Sequence, residues 1–153
     1  MRLLNDLHHG SSSVQVWYCG ISSSAAFRSI QQVPEDPVAW LPEGFLDRTS
    51  LRGLVVASWA PQVRVLSHPA TAVFVSHCGW NSTLESVASG VPMVAWPLHT
   101  EQRTNAAVLS ESVGVALRPR AARAVRELME GEKGRAVRRR TGDLRQAADA
   151  AWV

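Results

Sequence analysis

The residues of this chain whose types and spacing could do chemistry lie between Trp59 and Gln102. The central group is His77-Cys78-Gly79-Trp80-Asn81-Ser82. It follows an apolar, β-branched run (Ala72–Ser76) and opens a stretch with helical spacing (Asn81–Ser89). A helix start presents backbone N–H groups without intrahelical partners, together with a partial positive charge. That combination suits a phosphate. Gly79 permits a tight turn, Asn81 and Ser82 add side-chain donors, and His77 can donate to a phosphate oxygen. A purely structural account competes with this one. Ser82-Thr83-Leu84-Glu85 has capping-box spacing, with Ser82 as cap and Glu85 reaching back. Spacing alone weighs the two accounts evenly, but capping gives no role to His77, Trp80 or Asn81.

Two further groups flank this turn. Trp59-Ala60-Pro61 sets an indole beside a proline-fixed turn, a plate on which a base can stack, although a single Trp is more often an ordinary core or rim residue. Gln62 suits a polar edge of a base or ribose, and equally a solvated first helical turn. Glu101-Gln102 begins another helical stretch, where a carboxylate and an amide could grip sugar hydroxyls. Taken alone, Glu101 is better explained as an acid favoured at a helix start. Base stacking, diphosphate binding and sugar recognition are together what a nucleotide-sugar site requires. No general base emerges: His99 has no carboxylate partner evident in sequence, His68 lies in a loop, and His8 and His9 fall in a poorly defined segment. Cys19 and Cys78 are not at metal-ligand spacing, so no metal is expected.

The elements that must position these groups alternate. Gly53–Ala57, Ala72–Ser76, Met93–Trp96 and Val113–Leu117 read as strands. Gln62–Ser67, Asn81–Ser89, Glu101–Ser112, Ala121–Met129 and Lys133–Ala151 read as helices, with breaks at Gly131 and Gly134. Leu84, Val87 and Ala88 are expected to face inward from their helix, as are Ala106, Ala107 and Leu109 from theirs. Val14–Tyr18 alternates weakly and could be one more strand. The rest of residues 1–37, with its serine runs, is poorly defined, so the domain is placed at 38–153. Strands alternating with helices imply an α/β fold, a Rossmann-like parallel sheet flanked by helices. Ligands in such sheets sit beyond the carboxyl ends of the strands, which is where Trp59, His77 and His99 gather.

With 153 residues the chain is long enough for one domain and a sizeable core. No apolar run approaches the ~20 residues of a membrane span, and no signal peptide is expected at the start. Two cysteines favour a reducing, cytoplasmic setting. The formal charge of +3 is local in origin: Arg118 to Arg145 holds ten of the sixteen basic residues against four acids. An interaction surface for an acidic partner is one reading of that run, and a solvated helical face is the favoured one. No aromatic residue interleaves with the arginines to stack bases, so no nucleic acid and no membrane partner is expected.

Taken together, residues 59–102 resemble the donor-binding signature of plant family-1 UDP-dependent glycosyltransferases, over forty-four residues without a gap. Leu41-Pro42-Glu43-Gly44-Phe45 before it, and Gln102-Arg103-Thr104-Asn105-Ala106 and Val113-Gly114-Val115-Ala116-Leu117 after it, continue the likeness. The style is that of hydroquinone or phenylpropanoid glucosyltransferases. The resemblance implies the C-terminal, donor-binding domain of a GT-B fold. It implies that Trp59 stacks on uracil, with the Ala60 backbone at the base edge. Gln62 then lies beside the ribose, and Glu85 holds the ribose hydroxyls. His77, Asn81 and Ser82 bind the pyrophosphate across the Gly79 turn. The Trp80 backbone, Glu101 and Gln102 contact the sugar, and Gln102 points to UDP-glucose as donor.

The implied reaction is attack of a small, phenolic acceptor hydroxyl on the sugar C1 with inversion, in the cytoplasm and without a cofactor. The family's catalytic His belongs to an N-terminal acceptor domain that finds no counterpart here, so no catalytic residue is assigned and the chain is expected to be inactive alone. Residues 1–35 do not match the opening of the family's donor domain, and Arg118–Arg123 is shorter than usual. Two other readings stand beside this one: a non-catalytic UDP-sugar-binding module or truncated gene product, and a basic interaction protein using the arginine-rich helices.

Overall fold

The computed structural model describes residues 15–18, 42–50, 60–118 and 123–151. Four parallel strands form one sheet in the order β1 (Gln15–Tyr18), β2 (Thr71–Ser76), β3 (Met93–Ala95) and β4 (Ala116–Leu117). The helices are α1 (Phe45–Thr49), α2 (Gln62–Leu66), α3 (Trp80–Ala88), α4 (Thr100–Ala107), α5 (Arg123–Glu130) and α6 (Glu132–Ala151). The expected parallel α/β sheet is present, and the weakly alternating run near residue 16 is one of its strands. The strand expected at Gly53–Ala57 lies outside the described residues.

The period-2 alternation of β2 divides the core between the two faces of the sheet. Phe74 packs with Met93, Ala95, Leu66, Ala106 and Leu109 on one side. Val73 and Val75 pack with Val94, Ala124, Leu128 and Val137 on the other. Helices therefore cover both faces, as parallel sheets require. The β2–β3 register matters for the site: Ser76 pairs with Ala95, so both strands end at the same level. Trp96, expected within the strand, instead follows it, and its N–H still donates to the Ser76 carbonyl at 2.7 Å. The segments that leave these two strands, starting at His77 and Trp96, therefore start side by side.

Several expectations fail for physical reasons. In α3 the buried residues are Thr83 and Ser86, with Val87 partly buried, while Leu84 is 52% exposed and Ala88 is exposed. Ser86 can be buried because its hydroxyl donates to the Val91 carbonyl at 2.6 Å. The helix expected over Glu101–Ser112 widens into a π-helical turn at Val108–Val113. That turn closes at Gly114, whose φ of +77° a glycine adopts readily. The fourth strand consequently begins at Ala116, not Val113. Gly134 does not break a helix. It lies buried inside α6, where a Cβ would sit 2.2 Å from the Glu127 carbonyl oxygen, so its missing side chain is what lets α6 cross the end of α5 closely.

The arginine-rich run is more than a solvated face. Arg138 donates to the Leu128 and Met129 carbonyls at the end of α5, and Arg140 reaches the Val113 carbonyl at 3.2 Å. Arg145 donates to the Ser89 carbonyl at 3.2 Å. These guanidinium groups satisfy carbonyls at helix ends, where cations are favoured. Among the described residues no helix is long and apolar enough to cross a membrane.

Candidate functional site

The turn between β2 and α3 is built by unusual backbone. Cys78 adopts φ +66°, a left-handed conformation that L-residues with a Cβ rarely hold. Its N–H donates to the Ser76 Oγ at 3.2 Å, and its carbonyl accepts from the Asn105 Nδ2 at 3.0 Å. The thiol is fully buried, and burial pushes its pKa up to about 11, so it is neither an ionised nucleophile nor a ready metal ligand. Among the described residues no cluster of His, Cys, Asp or Glu could hold a metal ion.

Gly79 then serves as the N-cap of α3 in extended conformation, with φ −62° and ψ 145°. A glycine cannot cap with a side chain, and the first turn carries no acidic residue. The first intrahelical bond runs from the Thr83 N–H to the Gly79 carbonyl at 3.0 Å. The N–H groups of Trp80, Asn81 and Ser82 precede that bond, and among the described residues no side chain caps this helix start. The capping-box account fails here, because Ser82 lies inside the first turn rather than at the cap. Its supposed partner Glu85 faces elsewhere: the Gln62 Nε2 donates to the Glu85 Oε2 at 2.7 Å and to the Ser82 Oγ at 3.1 Å. Gln62, Ser82 and Glu85 thus form one polar group joining α2 to α3. It borders an open cleft of about 340 Å³ lined by Ala60, Pro61, Gln62, Val63, Arg64 and Glu85. Trp59, expected to stack on uracil, lies outside the described residues.

His77 opens the turn directly after β2. Its ring lies against Gly79, where a Cβ would come within 2.5 Å of the Nε2. Its Nδ1 is buried with no hydrogen-bond partner among the described residues, and a buried polar atom left unpaired is costly unless something else pairs it. Burial, and then the nearby His99, lower the His77 pKa below its ordinary 6.5, while Glu101 partly opposes them. His77 is therefore neutral near pH 7, with one nitrogen donating and one accepting.

The sign of the pH dependence follows. As pH falls below 6.5 the unfolded chain takes up this proton before the native chain does, so stability falls with it until the lower folded pKa is passed. The contribution is fully present above 6.5 and is lost on acidification below it. His77→Gln is expected to flatten this part of the pH profile of the thermal midpoint. Identical slopes for the two proteins between about pH 7.5 and 5.5 would rule out a buried neutral histidine.

The last group follows β3. Glu101 is exposed in the first turn of α4 and close enough to bias His77. Gln102 is only 6% exposed, and its Oε1 accepts from the Leu98 and His99 N–H groups at 2.9 and 3.0 Å. One end of its amide is therefore committed to the start of α4, a role that sequence reading did not give it, and the Nε2 is not used by these two bonds. Trp80 is 60% exposed and Asn81 is exposed. The structure thus gathers Ala60, Gln62, Ser82 and Glu85 at one flank of the α3 start. His77 lies against Gly79, with His99 and Glu101 near its ring. Sequence reading did not single out Asn105. Its signals were its place in the run Gln102–Ala106 that continues the family likeness and its position in a helix that starts at the same sheet edge.

Residues 25–126 match the family model for UDP-glucoronosyl and UDP-glucosyl transferase. UDP-glycosyltransferase 72B1 of Arabidopsis thaliana is 52% identical over 140 residues, which cover 84% of this chain and 29% of that protein. The hydroquinone glucosyltransferase of Rauvolfia serpentina is 51% identical over 140 residues, covering 84% and 30%. Among solved structures, a UDP-glucosyltransferase of Polygonum tinctorium capable of glucosylating indoxyl, in complex with 3,4-dichloroaniline, aligns with a TM-score of 0.72. The two are 50% identical over 77% of this chain and 29% of the other. Phytolacca americana UGT2, complexed with UDP-2fluoro-glucose and pterostilbene, gives a TM-score of 0.68 at 49% identity, over 73% and 28%. The chain spans about three tenths of the length of the curated relatives it matches. A matching family model over most of the chain, relatives about half identical to it and a shared parallel α/β architecture lead to one assignment: the chain belongs to the UDP-glucoronosyl and UDP-glucosyl transferase family.

Proposed function

We propose that this chain holds a UDP-sugar, with glucose as the sugar. It is the donor-binding part of a glycosyltransferase that moves the hexose to a hydroxyl of a small phenolic acceptor. The observation that carries the reading is the start of α3, which has no side-chain cap and no acid in its first turn and adjoins the neutral ring of His77. The Trp80, Asn81 and Ser82 N–H groups and the His77 ring bind the diphosphate across the Gly79 turn. Negative charge grows on that diphosphate as the bond to the sugar breaks, so fixed donors there favour departure of UDP. Trp59 and the Ala60 backbone take the uracil, and Gln62 and Glu85 take the ribose. The Trp80 backbone, Glu101 and the Gln102 Nε2 take the sugar. The base that activates the acceptor is not assigned to any residue of this chain. The acceptor class rests on the relatives, one named for hydroquinone and one complexed with pterostilbene. A cytoplasmic setting and a separate acceptor-binding domain are parts of the same proposal, while the boundary expected at residue 38 is set aside because Gln15–Tyr18 pairs with β2 in the same sheet.

Titration calorimetry with UDP and with UDP-glucose tests it. Binding of both is expected, and no heat with either would overturn the reading. Glu85→Ala is expected to weaken UDP only about five-fold. Glu85 already has the Gln62 amide as a partner, so its bond to ribose is an exchange worth about 1 kcal/mol. The basic-surface alternative is not favoured, because Arg138, Arg140 and Arg145 are occupied with helix-end carbonyls.

A further inference from the structure

We infer that Asn105 is a positioning residue for the donor's diphosphate, acting through the backbone of Cys78; the inference rests on the UDP-binding reading above. Asn105 lies on α4, twenty-seven positions from Cys78, and its Nδ2 donates to the Cys78 carbonyl at 3.0 Å. The same residue is held from the other side by Ser76, whose Oγ accepts the Cys78 N–H at 3.2 Å. Between these two bonds Cys78 keeps φ +66°, a conformation its Cβ disfavours and that persists only where surroundings over-determine it. The Cys78–Gly79 peptide is not cis. Fixing its carbonyl toward α4 therefore turns the Gly79 N–H away from α4. It also fixes Gly79 as N-cap, and with it the direction of the N–H groups that follow. Released from Asn105, Cys78 can return to an ordinary backbone conformation, and the helix start then no longer presents its donors together.

The test uses the 153-residue chain and two readouts. The first is UDP affinity by calorimetry. Asn105→Ala is expected to weaken UDP about ten-fold. The isosteric Asn105→Asp is expected to weaken it at least as much, since it keeps the volume but has no N–H to give. In a Cys78→Gly background, where φ +66° carries no Cβ penalty, Asn105→Ala is expected to lose only two- to three-fold (~0.5 kcal/mol). A merely structural role for Asn105 in α4 would give the same loss in both backgrounds. That result, or wild-type affinity in Asn105→Asp, overturns the inference.

The second readout needs no ligand. In a Cys19→Ser background, Cys78 is fully buried and is expected to react slowly with a thiol reagent. Asn105→Ala is expected to speed that reaction about ten-fold by freeing the turn. If the unaltered chain does not bind UDP, the donor reading falls, and labelling alone decides the clamp: faster labelling supports it and an unchanged rate overturns it.

Discussion

Gly134→Val is expected to lower the thermal midpoint of unfolding by roughly 6–12 °C, the response of a chain of this size to a loss of about 3 kcal/mol. The expectation comes from what a side chain would meet. A Cβ at Gly134 would lie 2.2 Å from the Glu127 carbonyl oxygen and 2.5 Å from that of Leu128. Both are main-chain atoms of α5, so no rotamer change relieves the clash. The two helices would have to separate. Leu128, fully buried, and Val137, 7% exposed, belong to the core that this crossing closes over Val73, Val75 and Val94. Separation would also pull Arg138 from the Leu128 and Met129 carbonyls it satisfies. Gly142 on the same helix is the control. Nothing lies within 4 Å of its added Cβ, and Gly142→Ala is expected to stabilise by ~0.5–1 kcal/mol through helix propensity. A Gly134→Val chain that melts within about 2 °C of the parent would refute the close crossing.

The two glycines mark a general limit on what this sequence discloses. Both stand in a helical stretch, and nothing local distinguishes the one needed for contact from the one that is dispensable. Only the approach of α5 decides it. The strands Thr71–Ser76 and Met93–Ala95 and the helix between them were legible because short β-branched runs and helical spacing are local signals. The inward face of α3 was not. Its apolar stripe through Leu84 suggested one face, while burial selects Thr83 and Ser86, small residues that fit a close approach and, for Ser86, find a carbonyl partner. The site shows the same division. That a helix would start at this turn could be read from His77-Cys78-Gly79 after a strand. That Ser82 and Glu85 serve Gln62 rather than a capping box depends on α2 meeting α3 across twenty and twenty-three positions. That Asn105 holds Cys78 depends on α4 starting at the same sheet edge. Contacts of that span leave no periodic trace.

His77→Ala is expected to weaken UDP binding about 10- to 150-fold, more than any other single change proposed at this site. The range follows from the chemistry. A hydrogen bond to a charged partner is worth about 1.5–3 kcal/mol, and among the described residues the His77 ring has no hydrogen-bond partner that its loss would release. Its Nδ1 is shut off from solvent, so the Nε2, the nitrogen nearest Gly79, is the one that can meet a phosphate, whereas Glu85 and Gln62 already satisfy one another. A ligand therefore gains a new bond at His77 and only an exchange at Glu85. The neutral state of His77 sharpens the case, since a ring held below its ordinary pKa by burial and by His99 acts through a directed N–H rather than through charge. Position should then matter as much as identity. Gly79→Ala keeps a backbone conformation that alanine tolerates, φ −62°, but places a Cβ 2.5 Å from the His77 Nε2, so the ring must swing away. It is expected to reproduce most of the His77→Ala loss while leaving the His77 side chain in place. Calorimetry on both variants decides the point. UDP affinity within about two-fold of the parent in His77→Ala would remove the ring from the diphosphate site. A Gly79→Ala chain with parental affinity, beside a weakened His77→Ala, would show that the ring reaches the phosphate from elsewhere than its place against Gly79.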